Sequence, residues 1–187
     1  MVNKVSTCVF ISGNGSNLNA LIKNSRSDNF PIKIVLVISN NPKSKGLKIA
    51  KKYKINTKLI EYKSNKNFEN LALLELKKNN IRLICLAGFM KVLSGSFIKK
   101  FSYTIINIHP SLLPKFKGLN THKRVLKSKD KYSGCTIHYV SPILDAGQII
   151  LQKKILIKKN ETEKTLKKKI LLLEHKAYAE AIISLFK

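Results

Sequence analysis

Apolar residues in this chain fall into short unbroken runs, separated by stretches in which they recur every three or four positions. That is the pattern of strands alternating with helices. Residues 5–12 read as a buried strand, and residues 16–23 open a helix with Leu18, Leu21 and Ile22 on one side. Residues 32–39 predict a second strand, residues 44–54 a lysine-rich amphipathic helix with Leu47, Ile49 and Ala50 inward, and residues 57–61 a short strand. A helix over 67–78, an apolar strand over 81–87, a short helix over 96–101 and a strand over 104–108 follow. Successive β-α-β units of this kind imply an α/β fold, a parallel sheet with helices on both faces.

The second half changes character. A proline-bounded loop over 110–118 leads to a short helix near 121–127 and two more strands, 134–140 and 149–157. A long helix begins around Glu161 and runs toward Phe186, with Thr162 as its N-cap and Leu166, Ile170, Leu173, Ala177 and Ile182 as its inward stripe. No repeat, low-complexity linker or internal boundary interrupts the pattern, and 187 residues with 44% hydrophobic content support one domain with a full core.

Composition narrows the function classes. The formal charge is +26, which invites a nucleic-acid reading, yet only Arg26, Arg82 and Arg124 are arginines, the residue best suited to base and phosphate recognition. The lysines are spread over what read as exposed helix faces. The expectation is nonspecific attraction to polyanions and no specific nucleic-acid partner. No apolar run reaches the roughly 20 residues of a membrane span, and the N-terminus lacks the pattern of a secretory signal. A cytoplasmic protein with no membrane partner is expected. Cys8, Cys85 and Cys135 lie far apart in apolar segments, as buried reduced thiols do, without metal-ligand spacing.

The chemistry concentrates in three places. In Ile105-Ile106-Asn107-Ile108-His109-Pro110, Asn107 and His109 stand two apart on a strand, so they share a face, and Pro110 ends the strand. The segment Ser12-Gly13-Asn14-Gly15-Ser16-Asn17 joins the first strand to the first helix, the ligand-binding position of a doubly wound sheet. Its glycines allow close approach of an anion to the helix N-terminus, and a side chain at Gly15 is expected to obstruct a phosphate there. The segment is neither a dinucleotide fingerprint nor a Walker loop; its bland alternative is a glycine turn with Ser16 as helix cap. Third, Asp145 in Leu144-Asp145-Ala146-Gly147 would, if brought beside His109, stabilise an imidazolium and fix the ring, while the Asn107 amide donates to a developing oxyanion. Taken alone, Asp145 reads as a turn residue.

The whole chain resembles the phosphoribosylglycinamide formyltransferases, folate-dependent enzymes of purine synthesis. The resemblance rests on Ile11-Ser12-Gly13-Asn14-Gly15-Ser16-Asn17-Leu18, Leu86-Ala87-Gly88-Phe89-Met90-Lys91-Val92-Leu93-Ser94, Asn107 through Pro114, Gly134-Cys135-Thr136-Ile137-His138 and Asp145-Ala146-Gly147, in the family's order. It implies a mostly parallel seven-stranded, Rossmann-like sheet and transfer of the formyl group of 10-formyltetrahydrofolate to the amine of the phosphoribosyl substrate, with no metal. By the same resemblance Asn107, His109 and Asp145 are catalytic, Gly15, Ser16 and Asn17 hold the substrate phosphate, and Glu174 meets the ribose hydroxyls. Met90, Lys91, Val92 and Leu93, with Ser141, Pro142, Ile143, Leu144 and Asp145, would line the folate pocket, and Asn107 would reach it. Where the family places a folate-contacting arginine this chain has Asn65, and Lys66 is the nearest basic substitute. His138 and His122 also stand at family positions, whereas His175 reads as a surface residue. One domain over 1–187 is expected, with a phosphate-binding half over about 1–100 and a folate and catalytic half over 101–187, as a monomer or weak homodimer acting on small molecules.

Other readings remain at this level. A methionyl-tRNA formyltransferase would give the charge a purpose but is expected to carry a second, tRNA-binding domain. A formyltetrahydrofolate hydrolase is expected to carry a regulatory domain ahead of the first strand. A basic nucleic-acid-binding module leaves Asn107, His109 and Asp145 without a common role.

Overall fold

A computed structural model describes residues 3–186. The strands are β1 (Val5–Ile11), β2 (Ile32–Ser39), β3 (Asn56–Leu59), β4 (Leu83–Leu86), β5 (Thr104–His109), β6 (Tyr132–Tyr139) and β7 (Ile149–Leu156). The helices are α1 (Ser16–Ser25), α2 (Lys45–Lys52), α3 (Asn65–Lys78), α4 (Gly95–Phe101), α5 (Thr121–Lys127) and α6 (Glu163–Leu185). One seven-stranded sheet runs in the order β3-β2-β1-β4-β5-β6-β7. The first five strands pair in parallel, while β6 is antiparallel to both β5 and β7.

The order has a direct physical origin. β1, β2 and β4 are almost continuously apolar because both faces of the sheet are covered. One face packs Leu18 and Ile22 of α1, Ala50 of α2, Val125 of α5 and Leu166, Ile170 and Tyr178 of α6. The other packs Phe68 and Leu76 of α3 with Phe97 and Phe101 of α4, and Phe10 of β1 meets Phe68 edge-on at 5.9 Å between ring centroids. The chain builds outward from β1 through β2 to β3, then returns to lay β4 on β1's other edge. The loops after β1 and β4 therefore diverge at the C-terminal edge, where open α/β sheets bind ligands.

Element boundaries move for local reasons. Ser64 accepts a hydrogen bond from the Asn67 N–H (3.2 Å) and starts α3 at Asn65, two residues earlier than the periodicity predicts, so Lys66 sits in the first helical turn. Thr162 caps α6 as expected, in a reciprocal pair with Thr165. Leu47 is only half-buried; Gly46 and Ala50 make the close contacts of α2. No helix among the described residues is long and apolar enough to cross a membrane.

The Tyr178 hydroxyl of α6 lies 3.0 Å from the Leu86 carbonyl and 3.2 Å from that of Ile106, fastening α6 over the seam between β4 and β5. Tyr178→Phe is expected to cost about 1 kcal/mol in urea unfolding, with no comparable loss for the same change at exposed Tyr132. Equal effects at both positions would contradict this role.

Candidate active site

Asn107 and His109 occupy the last turn of pleat in β5, side chains on one face, and Pro110 breaks the ladder beyond them. His109 is buried, and Nδ1 lies 3.2 Å from Asp145 Oδ2 while Nε2 lies 2.9 Å from the Phe116 carbonyl oxygen. Both ring nitrogens thus face acceptors, which only a doubly protonated imidazole serves at once. Asp145 Oδ2 also accepts the Gly118 N–H at 2.8 Å.

Asp145 reaches this point because the loop after β6 folds back on its own strand. Its φ is +48°, left-handed, and at Gly147 an added Cβ would lie 1.7 Å from the Tyr139 carbonyl oxygen. Only glycine lets the backbone pass there. The Asp-x-Gly spacing is therefore the mechanical means of carrying a carboxylate under the histidine.

Sequence reasoning gave His138 no role, and the structure supplies one. Antiparallel pairing sets it directly across from Asn107. Its Nδ1 lies 2.9 Å from the Tyr139 carbonyl, and burial pushes its pKa below the usual histidine value, so the ring is neutral with its proton on Nδ1. Nε2 then accepts a hydrogen bond from Asn107 Nδ2 at 3.2 Å, which fixes the carboxamide orientation. The 3.7 Å approach of His138 Nε2 to Asp145 Oδ1 is accordingly not an ion pair. The signal in the sequence was a histidine at an inward position of the strand paired with β5, legible only once that pairing is known.

At the start of α1, Gly15 is the N-cap, with φ +75° and no side-chain cap, so the cap is not Ser16. The first amides of α1 point out of the helix end without internal partners. A Cβ at Gly15 would lie 2.5 Å from Gly46 Cα, so a side chain there collides with α2, and the expectation that it would block a phosphate gives way to a packing reason. Asn17 Nδ2 donates to Glu174 Oε2 at 2.8 Å, while Asn17 Oδ1 is buried without a partner among the described residues. The Asn17 side chain is thus tied to α6, leaving its backbone for an anion. Burial raises the Glu174 pKa to about 7, against the opposing Asn17 hydrogen bond and the charge of Lys167.

The segments expected to hold folate meet around this centre. Met90, Lys91 and Val92 are exposed, whereas Leu93 turns into the core beneath α3 and α4 and anchors the loop instead of lining a pocket. A Cβ on Gly95 would touch Pro142 at 3.5 Å, and one on Gly118 would touch Leu144 at 3.8 Å, so the 141–145 segment bridges the start of α4 and the loop beside His109. Ser141 Oγ donates to the Ile143 carbonyl (2.9 Å), and Ile143 is 70% exposed. Lys66 is exposed and has no hydrogen-bond or ion-pair partner among the described residues. Lys91 Nζ sits 4.0 Å from the Tyr62 ring centroid, and the Tyr62 hydroxyl donates to Asn65 Oδ1 at 2.6 Å.

Two other histidines stand apart from this arrangement. His122 on α5 and His175 on α6 are desolvated and held below the usual histidine pKa, and each has one buried ring nitrogen without a partner among the described residues. A cavity of about 700 Å³ lies at the opposite edge of the sheet, between the starts of β1, β4 and β5, and shares no residue with the Asn107 cluster.

A buried Asp-His pair stands beside an oriented carboxamide at the C-terminal edge of the parallel strands. Residues 5–182 match the family described as formyl transferase, and the chain belongs to that family. It is 43% identical over 183 residues to the trifunctional purine biosynthetic protein adenosine-3 of Gallus gallus, a match covering 96% of this chain and 18% of that protein. It is 36% identical over 177 residues to the phosphoribosylglycinamide formyltransferase of Bacillus subtilis, covering 93% of this chain and 91% of the relative. The crystal structure of phosphoribosylglycinamide formyltransferase from Brucella melitensis superposes with a TM-score of 0.93 at 38% identity, covering 98% of this chain and 96% of that one. The α/β architecture expected from the sequence is the architecture of these structures.

Two measurements probe this geometry. Glu174 is neutral in both folded and unfolded chains below about pH 4.5, but above about pH 7 only the folded chain holds a buried carboxylate. Stability is therefore lost as pH rises through that window, and relative to Glu174→Gln the native protein should weaken by up to about 3 kcal/mol between pH 5 and 8 in denaturant titrations. A constant difference across that range would contradict the burial. Gly15→Ala should lower stability at every pH, whereas Gly13→Ala, with open space at its Cβ, should cost far less.

Proposed function

We propose that this protein transfers the formyl group of 10-formyltetrahydrofolate to the amine of 5-phosphoribosylglycinamide, a step of purine synthesis. The observation that carries the reading is the convergence of Asn107, His109 and Asp145 at the sheet edge where the glycine loop and the 90–93 loop open. The Bacillus subtilis relative named for this reaction, 36% identical over 91% of its own length, supports it.

In the reaction the substrate amine forms a bond to the formyl carbon, the bond from that carbon to the folate N10 breaks, and the amine's proton ends on N10. 10-Formyltetrahydrofolate supplies the formyl group, and the exposed apolar side chains of Met90, Val92, Ile143 and Leu144 suit the flat, apolar body of such a molecule. The remaining work falls to the chain. Amides of residues 15–17 at the start of α1 hold the phosphate, and Glu174 accepts from the ribose hydroxyls. Asn107 has one N–H committed to His138 and a second to offer where negative charge builds on the formyl oxygen. His109, its Nδ1 held by Asp145, stabilises that charge in its doubly protonated form and passes a proton toward the leaving nitrogen. To do so Nε2 exchanges the Phe116 carbonyl for the reacting group, so the 114–118 loop shifts during turnover.

The test is tetrahydrofolate release followed spectroscopically with and without phosphoribosylglycinamide. Release that requires the acceptor is expected; release without it would make the protein a hydrolase. Asn107→Ala and His109→Ala should each lower kcat on the order of a hundredfold or more with small changes in KM. The double variant should lose less than the product, because the two serve one charge. Folded single variants with normal kcat would remove these residues from the mechanism.

A further inference from the structure

The buried Ser12 hydroxyl, at the end of β1, sits between the two loops that the proposed reaction assigns to different substrates. It donates to Asn40 Oδ1 at 2.6 Å, which commits its single hydrogen, and it therefore presents a lone pair to the Met90 N–H at 2.8 Å. A second rung runs from the Ser12 N–H to the Gly88 carbonyl at 3.1 Å. On its other side the same residue is built into the glycine loop. Asn41 Nδ2 donates to the Ser12 carbonyl (2.9 Å) and Ser44 Oγ to that of Gly13 (2.8 Å). At the far end of the 88–94 loop, the buried Glu69 carboxylate accepts from both the Ser94 N–H (2.7 Å) and the Ser94 hydroxyl (2.6 Å). The exposed stretch from Met90 to Val92 is thus pinned at one end to α3 and at the other to the glycine loop, through Ser12.

We propose that Ser12 is a positioning residue that couples the two substrate sites, so that ordering of the glycine loop by the phosphoribosyl substrate pre-orders the 90–93 loop for folate, and the reverse. The physical basis is conformational entropy: a loop already held by its neighbour loses less freedom when its own ligand arrives. Such coupling is reciprocal, with fivefold or more in affinity corresponding to about 1 kcal/mol. Ser12 touches neither reacting centre. The inference rests on the function proposed above, because it takes the 90–93 loop as part of the folate site.

Tetrahydrofolate and phosphoribosylglycinamide bind together without reacting, since neither carries the formyl group. Calorimetric titration of tetrahydrofolate into the wild-type protein should give a Kd at least fivefold tighter when phosphoribosylglycinamide is saturating. In Ser12→Ala that factor should fall below twofold, with amide hydrogen exchange at Met90 accelerated and the Asn107 and His109 environment unchanged by NMR. Asn40→Ala, which frees the Ser12 hydroxyl to rotate, should lower the factor as well, and carries the test should Ser12→Ala fold poorly. A factor near one in the wild type, or the same factor in the wild type and both variants, overturns the coupling while leaving the activity intact. Failure of tetrahydrofolate to bind the wild-type protein at all overturns the functional reading and this inference with it.

Discussion

Parallel pairing of β1 with β2 on one edge and β4 on the other is the constraint from which the rest of this structure follows. A strand enclosed on both edges and both faces has little route to water, so its buried side chains are apolar or hydrogen-bonded, as Thr7 is to the Val5 carbonyl, and its backbone is paired. Cys8, Val9, Phe10 and Ile11 meet that demand with no exposed surface. Because the chain leaves β1 in one direction and returns on the other side, the loops that follow β1 and β4 start side by side, joined through Ser12 to Gly88 and Met90, and then lead away to different helices. The cleft between them is a consequence of strand order, and the polar residues of the site gather at its rim.

Within that rim, the rings of His109 and His138 and the Asn107 carboxamide are each held by a buried partner. The Asp145 carboxylate is taken out of water, which is unfavourable unless it is hydrogen-bonded; the Gly118 amide and His109 both serve its Oδ2. Neutral His138 hands a hydrogen-bond acceptor to Asn107 and takes its own orientation from the Tyr139 carbonyl. One charged pair and one neutral relay therefore stand side by side, and burial of His138 keeps them chemically distinct. The same logic at Asn17 and Glu174 ties the first helix to the last across the substrate side of the sheet.

The basic composition has little part in this. Lysine side chains occupy exposed helix faces, and the strand and loop residues that make the site are mostly neutral. Lys91 is an exception, its ammonium lying over the face of the Tyr62 ring.

The order of strands and helices was legible from the chain because unbroken apolar runs and apolar positions recurring every three or four residues are local patterns. Asn107 and His109 were legible for the same reason: two residues apart on a strand must share a face. The Ser64 cap moved the start of α3 by two residues, since a single side-chain hydrogen bond decides where a helix begins. What the sequence alone left open were contacts between residues distant along the chain. Asp145 read as a turn residue until the close passage at Gly147 carried it to His109, His138 had no partner until β6 paired antiparallel with β5, and the direction of a Gly15 side chain depended on Gly46, thirty-one residues away. Local periodicity determines the elements; only their packing sets the few ångströms on which hydrogen bonds, tautomers and steric exclusion depend.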